Sequence, residues 1–143
     1  MKILLVIIAF LAGCSQGYKE VSLFSFYEMY LANAKRENIK LTYKDFFDEA
    51  LMVGLDVNDP FIIEQLLFKD SMSKIISHKE RIYESYGCLT VNGESHDGRS
   101  ISINIEFSNH KPKRLMKMVD ILILDSKEDY SNTGVCPKEY IVY

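Results

Sequence analysis

The sequence predicts an α+β fold in which N-terminal helices pack on a C-terminal antiparallel meander sheet. Three observations predict it. Apolar residues recur at spacings of three and four between Leu23 and Ile76, as the buried stripe of a helix requires. Beyond Arg81 the period falls to two, with Ile101, Ile103, Ile105 and Phe107 alternating against Ser100, Ser102, Asn104 and Glu106. The length after residue 20 suits one domain, without internal repeat or low-complexity segment, and helices followed by strands is the order of an α+β layer fold.

The first element reads as a leader outside that domain. Lys2 precedes unbroken apolar residues from Ile3 to Ala12, and small residues lead up to Cys14, which is the three-part pattern of a secretory signal peptide. The run is too short to span a bilayer, which takes about 20 apolar residues. Ser15 and Gln16 end it, with Lys19 and Glu20 soon after. Leu11-Ala12-Gly13-Cys14 resembles the lipobox of bacterial lipoproteins, a likeness covering the first fifteen residues. The resemblance implies a diacylglycerol on the sulfur of Cys14, cleavage just before it and, commonly, an acyl chain such as palmitate on the freed amine. Residues 1–13 are then signal peptide, 14–20 a lipidated tether and 21–143 the folded domain. Several acyl chains give stable anchoring, since each buried methylene contributes about 0.8 kcal/mol and one myristoyl chain holds only marginally. In Gram-negative members an aspartate after the cysteine retains the protein in the inner membrane. Ser15 stands there, which implies the outer membrane, periplasmic side, for a Gram-negative source. Ser15 to Glu20 reach only about 20 Å at ~3.3–3.6 Å per residue, so the domain is expected close to the bilayer.

Removing residues 1–13 takes away Lys2 and no acid, so the formal net charge moves from −3 to −4. Lys and Arg are interleaved with Asp and Glu along most of the chain, unlike the clustered basic face of a nucleic-acid binder. With Cys14 taken up as the resemblance implies, Cys88 and Cys136 are left as an even pair in an oxidising compartment, where a disulfide is expected. It would contribute about 4 kcal/mol in the chain-entropy model and staple the C-terminal tail to the middle of the fold. A reactive thiol or a metal site is the alternative. Neither cysteine lies in a C-x-x-C motif, and His78, His96 and His110 show no ligand spacing, so no metal or cofactor is expected.

Within the domain, Leu23, Phe26, Tyr27, Tyr30, Leu31 and Ala34 predict a first helix over 23–36, with Ser22 as N-cap and Lys35 and Arg36 at the negative end. Thr42-Tyr43-Lys44-Asp45 reads as a capping box opening a second helix through Phe46, Phe47, Ala50 and Leu51, stopped by Gly54. Asp59 and Pro60 begin a third, whose stripe Ile62, Ile63, Leu66, Leu67, Ile75 and Ile76 runs toward His78 with Asp70 interrupting it.

Residues 82–91 predict a strand ending at an Asn92-Gly93 turn. Residues 100–107 predict a strand with one face on the core and one in water. Leu115 to Leu124 predicts a buried strand, and Tyr140 to Tyr143 a last short one. This layer order is loosely similar to cystatin-like and nuclear-transport-factor-like domains, which pack helices on a curved sheet.

Candidate chemistry is sparse. Asp45, Asp48 and Glu49 share a predicted helix, where acids in the first turns suit the dipole more than acid–base work. Ser95-His96-Asp97 spells triad residues, yet triads are assembled from distant segments, and Gly93 and Gly98 around it predict a turn. Asp56-Val57-Asn58-Asp59 opens like a calcium loop but puts Pro60 at the third ligand position, Phe61 in place of the turn glycine and Leu67 in place of the bidentate glutamate. Nine tyrosines and eight phenylalanines without tryptophan are expected to fill core and sheet. The binding candidates are His110, Lys111, Lys113 and Arg114, cations at an expected exposed hairpin that suit phosphate, lipid headgroups or an acidic partner. A solvated turn that blocks edge pairing is the plainer alternative.

These observations lead to the expectation of a membrane-anchored envelope lipoprotein, not an enzyme, that binds a protein or a cell-envelope component through its sheet face or basic hairpin. Its contacts would be the membrane, through the lipid, and an envelope protein, with no nucleic acid. The alternative is a small periplasmic hydrolase or isomerase with its site in a concave sheet.

Overall fold

A computed structural model of the chain describes residues 21–108 and 113–137. The expected signal peptide, the tether with Cys14, the residues His110 and Lys111, and the strand Tyr140–Tyr143 lie outside the described residues.

Helix α1 (Leu23–Asn33) starts where its sequence places it, with Ser22 Oγ accepting the Ser25 N–H at 3.1 Å. The Glu80 carboxylate, in strand β1 (Lys74–Ile82), takes the next free donors, Leu23 N–H at 3.0 Å and Phe24 N–H at 2.9 Å. Helix ends carry such orphan donors, and here a strand supplies the acceptor. The helix stops three residues short of Arg36 because Asn38 replaces its last turn. The Asn38 side chain accepts the Lys35 N–H and donates to the Asn33 carbonyl, at 2.9 and 3.0 Å.

The expected second helix is broken in two. Helix α2 (Ile39–Thr42) runs into a 3-10 turn at Tyr43–Asp45, and helix α3 (Glu49–Met52) begins only after Asp48 caps it. Thr42 is not an N-cap; its hydroxyl donates back to the Asn38 carbonyl at 3.2 Å. Between the two helices the backbone leaves the helix to join strand β4 (Met116–Leu124): Met116 N–H donates to the Phe46 carbonyl at 2.8 Å, and Asp48 N–H to the Met116 carbonyl at 2.9 Å. That detour buries Phe46 and Phe47. Gly54 takes the left-handed conformation expected of it, at φ +79°.

Helix α4 (Pro60–Leu66) carries the expected Asp59 cap but ends twelve residues before His78. A 3-10 turn, Phe68–Ser71, follows, and Ile75 and Ile76 belong to β1. The remaining strands are β2 (Tyr86–Glu94) and β3 (Ser100–Ser108), and the sheet is an antiparallel meander in the order β1-β2-β3-β4. Asn92-Gly93 is not a turn. It lies inside β2, paired with Ser102 and Ile101, and the turn comes at Ser95–Gly98 with Gly98 at φ +80°. Gly93 is required by packing, since an added Cβ would sit 2.2 Å from the Lys74 carbonyl oxygen.

One face of the sheet meets the helices over Leu89, Val91, Ile103, Ile105 and Phe107, all fully buried. Aromatic rings fill that layer. Tyr30 stacks on Phe68 at 4.8 Å and meets Phe46 and Phe47 edge-on at 5.6 and 5.8 Å. The second face is not in water as the alternation suggested. Ser102, Asn104, Glu106 and Ser108 are buried, along with Thr90 and Asn92 of β2. Residues 125–137 return across it as a strap. The strap and strands satisfy the buried polar groups, as burial demands. Tyr130 Oη donates to the Gly93 carbonyl at 2.6 Å, Val135 N–H to Thr90 Oγ1 at 2.9 Å, and Asn92 Nδ2 to the Ser131 carbonyl at 3.3 Å. Thr90 in turn donates to Asn104 Oδ1 at 2.7 Å, and Ser102 to Asn92 Oδ1 at 2.6 Å. Strand β4 is less buried than expected. It lies at the sheet edge, and Ile121 and Ile123 are exposed.

Candidate functional site

The strap is tied down at Cys136. Its Cα lies 5.0 Å from that of Cys88 and the two are joined as a disulfide, with both residues buried. Gly134 makes the approach feasible, because an added Cβ would lie 2.3 Å from the Cys88 carbonyl oxygen and 2.6 Å from the Arg81 nitrogen.

Two of the four basic candidates fall in the described residues, and they separate. Lys113 is exposed and pairs with Asp45 at 3.3 Å. Arg114 is not at an exposed turn; it is only 7 % exposed. Its guanidinium and Leu23 of α1 both close over Gly87, where an added Cβ would meet Leu23 Cδ1 at 2.8 Å and Arg114 Nη1 at 3.4 Å. Arg114 is thus part of the packing that seats α1 on β2.

Ser95, His96 and Asp97 form no relay. Ser95 Oγ donates to Asp97 Oδ1 at 2.5 Å, Arg99 donates to Asp97 Oδ2 at 2.7 Å, and His96 Nε2 turns to the Asp70 carbonyl at 3.0 Å. The Ser95 hydroxyl first, then Arg99, hold the Asp97 carboxyl below the usual carboxylate range. Asp45 and Asp48 are likewise turned to different partners, Lys113 and the Ala50 N–H. Asp56 accepts the Asn58 N–H at 2.9 Å in an Asx turn ahead of the Asp59 cap. Among the described residues no three His, Cys, Asp or Glu side chains gather as a metal site, and no helix is long and apolar enough to cross a membrane.

Sequence reasoning missed an apolar cleft of about 350 Å³ beside the sheet edge, lined chiefly by Leu51, Met52, Leu55, Ile62, Val119 and Ile121, with Gln65 its single polar side chain. Its signal was present in the chain: Val119 and Ile121 face the helices by register with Ile105 and Ile103, opposite the short α3 and α4. The central strands β2 and β3, by contrast, are buried along nearly their whole length, so the described residues leave no open concave sheet face there.

Burial pushes the Tyr27 and Tyr30 phenols above their ordinary range. Tyr30 Oη donates to the Leu66 carbonyl at 2.9 Å and accepts the Lys69 N–H at 3.2 Å, so it ties α1 to the end of α4 rather than serving as an acid. No protein-family model, curated protein or solved structure matches the chain.

Proposed function

We propose that the chain is an envelope lipoprotein, held to a membrane by acyl chains on Cys14, that acts by binding a protein or cell-envelope component and not by catalysis. The observation that carries the reading is Leu11-Ala12-Gly13-Cys14 at the end of a short apolar run headed by Lys2. Two features of the domain support it. Cys88 and Cys136 stand at a separation a disulfide needs, which suits an oxidising compartment. The cleft beside β4 is lined almost wholly by apolar side chains, which suits recognition of an apolar surface better than proton transfer.

The test is metabolic labelling with a fatty-acid analogue. Wild type is expected to take up label and to lose residues 1–13, while Cys14→Ser takes up none and keeps its leader. Equal labelling of the two chains overturns the anchor.

A further inference from the structure

The tether leaves the domain at a defined place. Val21 and Ser22 lead directly into Leu23, whose side chain lies over Gly87, next to the Arg114 guanidinium, and whose N–H is held by Glu80. These residues mark one end of the sheet, where β1 turns into β2 and where β4 begins. Tyr83 N–H closes that turn on the Tyr86 carbonyl at 2.9 Å, and Lys113 stands three residues before Met116, the partner of Phe107. The opposite end carries the Ser95–Gly98 turn, and Lys127 there is paired with Glu94. Eight residue steps of β2 separate the two ends, about 27 Å.

Seven residue steps from Cys14 to Val21 span at most about 25 Å, whereas a domain of this length is about 35 Å across. A chain anchored at Cys14 therefore cannot stand on its far end with Val21 uppermost, and a short tether favours the near end against the bilayer. The near end has chemistry suited to that surface. The Tyr83 and Tyr86 rings stack at 4.4 Å, with the Arg81 guanidinium 5.1 Å from the Tyr83 ring centre. Tyrosine prefers the headgroup level of a membrane, with its ring in the apolar layer and its hydroxyl in water. Val21 is 55 % exposed, and Lys113 is exposed, its pairing to Asp45 a surface one of a kind that exchanges readily in water.

From this convergence we infer that the end of the domain bearing Val21, Tyr83, Tyr86 and Lys113 is a membrane-contact surface that seats on phospholipid headgroups, with Lys113 toward their phosphates. The inference rests on the Cys14 anchor and adds to it the orientation of the domain. Cationic and tyrosine side chains then hold the helix-lined cleft and the strap at a fixed angle to the bilayer.

The native lipidated chain in vesicles of phosphatidylcholine and phosphatidylglycerol, and in a non-ionic detergent, is treated with a membrane-impermeant amine-acylating reagent after flotation of the vesicles. Labelling at Lys113 is read against Lys127 by mass spectrometry. The ratio is expected to fall about fivefold in the vesicles, the occupancy change that one cation near an anionic surface gives. A chain that floats with the vesicles yet labels at an unchanged ratio, or protects Lys127 instead, overturns the contact surface and leaves the anchor standing. A chain that does not float overturns both.

Discussion

Tyr30 shows how one side chain can set the helical layer. Its ring stacks on Phe68 and its hydroxyl serves both the Leu66 carbonyl and the Lys69 N–H, with Tyr30 itself fully buried. Tyr30→Phe keeps the ring but strands a buried acceptor and donor, so unfolding free energy by urea titration is expected to drop by about 1–3 kcal/mol. An unchanged value would mean that water replaces the hydroxyl. Tyr27 and Tyr30 should also stay protonated in the native state as pH rises past the ordinary tyrosine range, ionising only with unfolding, which absorbance near 295 nm follows. Arg114 teaches the limit of reading single residues. Adjacent to Lys113 in sequence it looked equally exposed, but its burial over Gly87 depends on Leu23, ninety-one positions away. No local pattern carries that contact.

At the scale of elements, the strap decides most. Cys88 and Cys136 are 48 residues apart, so their bond removes about 4 kcal/mol of unfolded-state freedom in the chain-entropy model. The double variant Cys88→Ser, Cys136→Ser is expected to lose a stability of that order. Its Val135 amide, held by Thr90, should exchange with deuterium faster than the β3 amides. Equal protection of strap and β3 would contradict a strap fastened by the disulfide.

The strap also explains what the sequence reading misplaced. The alternation from Ser100 to Phe107 located β3 correctly, because period-two patterning is local. Its polar face looked solvated because Thr90, Asn92, Ser102 and Asn104 are satisfied by one another and by residues 131 and 135, partners that periodicity does not reveal. Ile75 and Ile76 fit a helical stripe and a strand equally well, and the β-bulge between Ile75 and Ser77 blurs the strand pattern further. Phe46 and Phe47 fit a helix too, until Met116 claims the backbone around them. The caps Ser22, Asp48 and Asp59 act on the next two or three residues, and the local sequence predicts Ser22 and Asp59 but puts the middle cap at Thr42 instead of Asp48. Of the candidate site, the cysteine pair was legible, while the cleft required knowing how short α3 and α4 are.

For the whole molecule, charge sets the response to pH. The Asp97 and Glu94 carboxyls lie below their ordinary range, Asp97 through Ser95 and then Arg99, Glu94 through its hydrogen bond to Lys127. A carboxyl lower in the folded than in the unfolded chain adds stability above the unfolded value, and that stability is lost as pH falls through the folded one. Lys127, raised by Glu94, contributes below the ordinary lysine range and loses its share as pH rises through its raised value. Thermal midpoints are therefore expected to decline below about pH 4, the unfolded carboxylate range. Asp97→Asn should decline less steeply there than wild type, and parallel curves would remove Asp97 from the account. The proposed anchor on Cys14 is read out by intact-mass analysis of the mature chain purified from its native membrane fraction. The expected product is an N-terminal Cys14 peptide heavier by a diacylglyceryl group and an acyl chain, with residues 1–13 gone. A membrane-fraction chain that keeps Lys2 and carries an unmodified Cys14 would contradict it.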